Sequence, residues 1–338
     1  MDGDNGQAES KDEQFVTVDT KDRIAWPLLG HASSERKFLE AFASQRMHHG
    51  WILEGPSGIG KATLAKRMIA KVLGAACKPD TLDADQSDPV VQKIMAEAHP
   101  DVRWLARRPD EKGKLKQDIA VEAVRGLNEF FFLKAGLGGW RVGVIDSMDE
   151  LNRFGANAIL KTLEEPPPQC LLIIISHRTR SVLPTIRSRC RLLRLSALDR
   201  ATTQSVLDMS DHPMARESVT VDLSRGRPGY GLKLASDTGF AAANAAKSFL
   251  RNLPKVADVV ISDTVVRGGA DEMAFRALHS EVLSWLNERA DENPKYADSW
   301  LAVSRLVSES HALNMDYTQS ASKLISIVQR AAQKIEAA

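Results

Sequence analysis

Cysteine is scarce in this chain: Cys77, Cys170 and Cys190 are the whole supply, and they lie far apart. Three thiols are too few for a disulfide framework, and a closed structural zinc site wants four ligands. A reducing, cytoplasmic setting is therefore expected. Long apolar runs are missing as well, so no stretch approaches the roughly 18 consecutive apolar residues of a membrane span. The beginning of the chain is acidic and polar, unlike a signal peptide. Net charge is nearly absent at +1, from 45 Lys and Arg against 44 Asp and Glu, so no global basic field marks a nucleic-acid binder.

What is present suits a soluble globular protein. The 338 residues are 43% hydrophobic and 26% charged, which predicts two or three domains rather than one core. Residues 1–22 carry seven acids (Asp2, Asp4, Glu9, Asp12, Glu13, Asp19, Asp22) against Lys11 and Lys21, and read as a disordered acidic tail. "HASSERKFLEAFASQRMHHG" then predicts a helix capped by Ser33 or Ser34 and stopped by Gly50. "WILEG" predicts a short buried strand, followed by a glycine-rich turn and a helix to about Leu73.

A polar insertion over 74–100 holds the helical segment "PVVQKIMAEAH". Strand-like "DVRWLA" and a basic turn (Arg107, Arg108, Lys112, Lys114, Lys116) come next, the turn expected as a solvated loop. Helical "IAVEAVRGLNEFFFL" leads to the strand "WRVGVIDS", which closes on an acid. "ELNRFGANAILKTLEEPP" predicts a helix stopped by Pro166 to Pro168; the strand "CLLIIIS" and a last sheet segment near "RLLRLSAL" complete the set. Short apolar runs separated by helices describe a parallel sheet covered on both faces, so the fold class is α/β.

Residues 199–240 turn helical around "SRGRPGYG". After 240 the chain reads as helix: "FAAANAAKSFLRNL", "MAFRALHSEVLSWLNERA", "YADSWLAVSRLVSESHALNM" and "YTQSASKLISIVQRAAQKI". No internal repeat is present. Trp51, Trp104 and Trp140 flank predicted strands as packing residues, while Trp285 and Trp300 fall at helical spacing among apolar neighbours.

The stretch "GPSGIGKAT", Gly55 to Thr63, has the spacing of a phosphate-cradling P-loop between a strand and a helix. Glycines at Gly55, Gly58 and Gly60 let backbone N–H groups turn inward around phosphate oxygens, and the helix after the loop adds its N-terminal dipole. Lys61 would reach the outer phosphates. The next position normally carries a hydroxyl that ligates Mg²⁺, and Ala62 has none. Thr63 lies about 100° further round the helix and does not substitute cleanly. Asp146 ends a buried strand, where the magnesium-organising acid of such proteins sits, or else it merely caps the next helix. The residue after it, where a Glu would polarise attacking water, is Ser147, which cannot act as a general base. Asp149 and Glu150, a turn further on, read as solvated helix acids. Two states of the loop stay open: ATP or ADP held without hydrolysis, or a strand–helix turn with no ligand.

The string "NAILKTLEEPPPQCLLIIISHRTRSVLPTIRSRCRLL" resembles the bacterial clamp-loader subunits of the AAA+ class, whose hallmark is "LKTLEEPP", a strand, then "LPTIRSRC". The resemblance runs from about Pro27 to the C-terminal helices, where "NMDYTQ" (Asn314 to Gln319) is similar to the family's collar-helix motif. It implies a RecA-like P-loop AAA+ domain over 23–198, a helical lid over 199–242 and an all-α collar for oligomerisation over 243–338. It also implies that Ser188, Arg189 and Cys190 form the motif that supplies an arginine finger to the neighbouring subunit. Arginine suits that task because its planar, permanently charged fork stabilises charge on a γ-phosphate. By charge alone, Arg189 is one of several basic residues here, with Arg178, Arg180, Arg187, Arg191 and Arg194.

Within this family the ATP-hydrolysing gamma/tau branch must be told from the delta-prime branch of bacterial DNA polymerase III. Three departures favour delta-prime: Ala62, Ser147, and the lid sensor arginine, whose position in "SRGRPGYGL" falls at Gly229 with Arg225 and Arg227 beside it. The family's four-cysteine zinc module is reduced to Cys77 and, in "HPD", His99, so no zinc is expected. Cys170 and Cys190 read as packing residues. Trp26, in "WPLLGH", falls where relatives pack near the adenine. The implied function is a non-hydrolysing clamp-loader member, joined to gamma/tau and delta subunits through its collar and AAA+ interfaces, away from any membrane. Arg189 would act in trans, so that a neighbour's ATP hydrolysis drives loading of the sliding clamp on primed DNA. The rivals are an active gamma/tau-type ATPase rescued by Thr63, and a nucleotide-binding regulator without a ring.

Overall fold

Both faces of each short apolar run are covered, which is why those runs are strands. The computed structural model describes residues 27–44, 47–107, 116, 118–177, 182–235, 237–312 and 316–336. Five strands, β1 (Gly50–Glu54), β2 (Val102–Leu105), β3 (Arg141–Asp146), β4 (Cys170–Ser176) and β5 (Arg191–Arg194), form one parallel sheet in the order β2-β3-β4-β1-β5. Side chains alternate across it. Leu171, Ile173 and Ile175 of β4 enter the core on one face, and Leu172 and Ile174 enter the other. The first face is closed by α1 (Ala32–Ala43), α2 (Lys61–Val72) and α3 (Pro89–Met95). The second is closed by α4 (Val121–Phe132), α5 (Arg153–Ala158), α6 (Leu160–Glu164) and α7 (Pro184–Arg187). Each fully buried Leu or Ile contributes about 1.5–3 kcal/mol.

Because every pairing is parallel, all strands share one polarity. Gly50 at the start of β1 pairs with Leu172, and Trp51 pairs with Arg191, so the N-terminal ends of β1 and β5 are neighbours. The C-terminal end of β1 opens into the loop that leads to α2.

Beyond the sheet, α8 (Arg200–Asp208), α9 (Ser218–Ser224) and α10 (Pro228–Leu234) form a small helical unit. The remaining helices are α11 (Asp237–Arg251), α12 (Asp258–Gly268), α13 (Glu272–Glu288), α14 (Pro294–Ala312) and α15 (Tyr317–Glu336). They bundle around Phe249, Phe275, Leu278, Val282, Leu286, Leu324 and Val328. Among the described residues no helix is long and apolar enough to cross a membrane.

Several boundaries differ from expectation, each for a local reason. Helix α1 starts at Ala32 behind His31, not at a serine cap: Ser34 points inward and donates to the Arg194 carbonyl (3.4 Å). It ends at Ala43, and Gly50 is the first residue of β1 rather than a helix stop. Helix α4 starts only at Val121, because Ile119 is drawn into a bridge with Leu151. The helix expected up to the prolines is two helices, α5 capped by the Asn152 side chain and α6, separated at the fully buried Ile159. Helix α12 falls in the stretch after 240 that reads as helix, though none of the four quoted segments covers it. Helix α11 runs through the expected 242/243 boundary, and Ala242 and Ala243 pack against Leu223, Leu234, Ala274 and Ala277. The tail 1–22, Trp26, Arg108, Lys112, Lys114, Arg178, Arg180 and Asn314 lie outside the described residues.

Candidate phosphate loop and arginine turn

At the C-terminal end of β1 the chain turns through Gly55 to Gly60 and enters α2 at Lys61. Gly58 has φ +84°, a left-handed conformation that strains any residue with a Cβ. A Cβ there would also lie 2.6 Å from the Tyr230 nitrogen, because α10 comes down on this loop. The Gly229 N–H donates to the Gly58 carbonyl (2.8 Å). The ring Nε2 of His31, itself buried, donates to the Ile59 carbonyl (2.7 Å) and pins the loop from the other side.

Lys61 is 4% exposed, and its ammonium turns back on the loop, donating to the carbonyls of Gly55 (2.6 Å) and Pro56 (2.6 Å). Burial pulls its pKa down to about 8, with Asp146 and Asp149 holding it partly up. The acid at the end of β3 thus acts on the Lys61 charge, and Asp149 acts with it. Asp149 is not a solvated helix acid: its Oδ2 accepts the backbone N–H of His177 (2.6 Å). Glu150 is engaged too, paired with Arg107 at 2.9 Å, which takes that residue out of the basic turn.

His177 comes directly after β4, and β4 is the neighbour of β1. Burial lowers its pKa, and the Lys61 charge lowers it further. Three buried atoms at this corner make no hydrogen bond among the described residues: Ser147 Oγ, Asp149 Oδ1 and His177 Nδ1. These are open valences of the kind a bound polar molecule fills.

The loop keeps what holds a phosphate: its glycines, Lys61, and the first N–H groups of α2, which have no intrahelical acceptor. The hydroxyl expected next to Lys61 is missing, while the strand-end acid Asp146 is present. Ala62 packs against the sheet core, Thr63 is half-buried, and Ser147, at the position where an acid would polarise water, has no carboxylate. The lid arginines are engaged away from the loop. Arg225 donates to the Ser280 carbonyl (3.0 Å) and meets Glu281 (3.5 Å), while Arg227 stacks on the Tyr230 ring at 4.3 Å. Gly229 is the residue that faces the loop.

Ser188, Arg189 and Cys190 form the turn between α7 and β5, at the opposite end of the sheet. Ser188 Oγ donates to the Thr185 carbonyl (3.1 Å). Arg189 is half-exposed; its Nη1 donates to the Thr185 carbonyl (2.9 Å) and its Nη2 lies 2.9 Å from Glu164 Oε1. Cys190 is a packing thiol, its pKa pushed up to about 12 by burial. It sits where a Gly50 side chain would be: a Cβ on Gly50 would lie 2.8 Å from Cys190 Sγ and 3.2 Å from the Arg189 carbonyl. The five residues of β1 separate this turn from the chain's own P-loop, about 16 Å at the rise of a strand.

In the insertion after α2, Cys77 bridges to Ala84, and the His99 Nδ1 accepts the Asp101 N–H (3.2 Å). Among the described residues no three His, Cys, Asp or Glu side chains are placed to hold a metal ion. Arg67 instead ties the insertion to α2, pairing with Asp83 (3.3 Å) and donating to the Leu82 carbonyl (3.2 Å). His31, His177 and Glu164 carried no role in the sequence, and Asp149 read there as a solvated acid. His177 alone carried a usable signal, since ligands of open α/β sheets bind at the carboxyl ends of strands.

Comparison with known proteins bears on both ends of the sheet. The family described as "DNA polymerase III, delta subunit" matches residues 30–199. Over 142 residues the chain is 38% identical to the DNA polymerase III subunit delta-prime of Pseudomonas aeruginosa, covering 42% of this chain and 41% of that one. It is 30% identical to the delta-prime subunit of Escherichia coli over 200 residues, covering 59% and 58%. The DNA polymerase III subunit gamma of Buchnera aphidicola (subsp. Schizaphis graminum) is 29% identical over 171 residues, covering 51% and 44%. The chain thus spans 41% to 58% of the length of these relatives. Among solved structures, a gamma-subunit-related protein of Thermotoga maritima aligns with TM-score 0.42 and 14% identity, covering 88% of this chain and 99% of that one.

Proposed function

The chain belongs to the DNA polymerase III delta-subunit family of clamp-loader proteins, and from that premise we propose that it is a delta-prime-type subunit that hydrolyses no nucleotide itself. In this proposal it presents Arg189 to the ATP site of a neighbouring motor subunit, whose hydrolysis then drives loading of a sliding clamp on primed DNA. One observation carries it: Arg189 is half-exposed at the N-terminal edge of the sheet, about a strand's length (~16 Å) from the P-loop of its own chain. An arginine side chain cannot bridge that span, so Arg189 does not serve a phosphate held by its own loop, which supports a role towards a neighbour. The partners proposed are gamma/tau and delta subunits, met through the helical bundle α11–α15 and the sheet domain. The setting proposed is cytoplasmic.

Its own loop, in this proposal, holds ATP or ADP as an inert ligand. The glycine loop and the first N–H groups of α2 would bind the phosphates. Lys61 would turn from the Gly55 and Pro56 carbonyls to meet them, keeping its proton. No metal-supported attack by water is expected, because Ala62 and Ser147 supply neither ligand nor base.

The test is Arg189→Ala in a complex reconstituted with the motor subunits. An arginine finger is worth about 10³–10⁵ in rate, so ATPase at the adjoining site should collapse while assembly persists. An unchanged rate would sink the proposal. So would ATP turnover by the purified chain alone that Lys61→Ala abolishes.

A further inference from the structure

The segment "LKTLEEPP" marks the family resemblance, yet its acids have no task in the proposed function. The chain's geometry gives one of them a task. Helix α6 ends at Glu164 because Pro166 has no N–H with which to continue it. That stop leaves Glu164 beside the arginine turn, Oε1 at 2.9 Å from Arg189 Nη2. The pair spans 25 positions of sequence, so it is made by the fold and not by local chain geometry.

Two further contacts, made by the neighbouring Leu163, hold the chain at Glu164 against the turn. The Leu163 carbonyl accepts from His49 Nε2 (3.0 Å), and a Cβ on Gly50 would lie 2.9 Å from Leu163 Cδ2 as well as 2.8 Å from Cys190 Sγ. The residue before Glu164 and the residue after Arg189 therefore rest on the same glycine. From α7, the Thr185 carbonyl takes the other terminal nitrogen at 2.9 Å.

We propose that Glu164 is a positioning residue for Arg189: with the Thr185 carbonyl it sets the plane of the guanidinium before a neighbour's phosphate arrives. A guanidinium has five N–H donors. One on each terminal nitrogen is held within the subunit. The Nε–H and the second proton of each terminal nitrogen stay available, enough for a fork against phosphate oxygens. An exposed arginine without such a partner is spread over many rotamers, and gathering them would fall on the transition state. This rests on the arginine-finger reading of the proposed function.

The experiment uses the reconstituted complex, with kcat and KM for ATP measured at the adjoining site. Misplacing a catalytic group by about 1 Å can cost on the order of 10²-fold, so Glu164→Ala should lower kcat ten- to a hundredfold with KM unchanged. Glu164→Gln keeps the length and the acceptor and should restore most of the rate. Glu164→Lys, which repels Arg189, should approach Arg189→Ala. Adding Glu164→Ala to Arg189→Ala should change nothing further, because the two act through one group. If Arg189→Ala collapses the rate while Glu164→Ala and Glu164→Lys leave it intact, positioning is overturned and the finger stands. A faster Glu164→Ala complex also overturns it, since the carboxylate would then be withholding the arginine. If Arg189→Ala itself changes nothing, the finger reading fails first. Should Glu164→Ala fail to assemble, the contrast between Gln and Lys decides: equal rates overturn the proposal.

Discussion

Gly50→Ala tests whether β1 seats the arginine turn. Gly50 has no positive φ, so its backbone accepts alanine without strain, and losing a glycine from the unfolded chain would by itself stabilise by about 0.4–1 kcal/mol. Against that stands the space. The new Cβ would lie 2.8 Å from Cys190 Sγ, 2.9 Å from Leu163 Cδ2 and 3.2 Å from the Arg189 carbonyl. The leucine methyl is the far end of a flexible side chain and can swing away. The sulfur and the carbonyl belong to the turn and cannot yield unless the turn moves. Overpacking of this kind costs about 1–3 kcal/mol, so the net loss should be about 1–2 kcal/mol, read as a lower urea midpoint at unchanged m. Cys190→Ala removes the sulfur and clears the space. The double variant should therefore be more stable than the sum of the singles by about 1 kcal/mol, within the range of coupling for residues in contact. Strict additivity, or a Gly50→Ala chain as stable as the parent, would refute the seat.

The loop end gives two further expected outcomes. Lys61 has a folded-state pKa of about 8 against an ordinary 10.5, so between those values the unfolded chain holds a proton that the folded chain has released, and stability rises with pH. Below about pH 8 the full burial penalty applies. Measured against Lys61→Met at matched pH, the parent should gain about 2 kcal/mol in unfolding free energy from pH 8 to 9.5, and a flat difference would show that Lys61 titrates normally. Gly58→Ala forces a left-handed alanine, at about 1–2 kcal/mol, and sets a Cβ 2.6 Å from the Tyr230 nitrogen. The first turn of α10 should then exchange its amides faster, by hydrogen–deuterium exchange; unchanged protection at 229–231 would mean that the lid does not rest on the loop.

How far the sequence could be read depended on whether structure was set locally. The strands were legible because a sheet covered on both faces demands unbroken apolar runs, and "CLLIIIS" is β4 residue for residue. The P-loop was legible because its glycines and Lys61 obey a fixed spacing. Helix α12 fell in a stretch read as helical but did not stand out as an element of its own, since Val259, Val260, Ile261, Val265 and Val266 carry strand-like propensity. Packing decides it: Val260, Ile261 and Val265 lie against the α11–α15 core. Asp149 looked like a surface acid from its distance past β3, yet the chain turns there and returns it to the His177 amide. Glu164 and Arg189 are 25 residues apart, and only the sheet, which sets Gly50 between their neighbours, makes them partners.

Strand β1 also sets apart the two ends of the sheet that the proposed function treats differently. Ala62 and Ser147 alter the loop end; Gly50, Cys190, Glu164 and Arg189 build the turn end. About 16 Å of strand lies between, and changes more than about 7–10 Å apart with no shared partner act independently. An ion pair reaches from the loop end toward the turn. Glu54, 5% exposed and next to Gly55, accepts from Arg187 Nη1 at 2.7 Å, and Arg187 stands two residues before Arg189. Glu54 also meets Arg194 at 3.4 Å, beyond the turn on β5. A buried carboxylate is costly to leave unpaired, which favours keeping the less exposed Arg187 at Glu54. If the state of the loop is felt at Arg189, the path with physical content runs through Glu54, and a loop that holds its ligand without turnover would leave that path, and the arginine turn, in one fixed position.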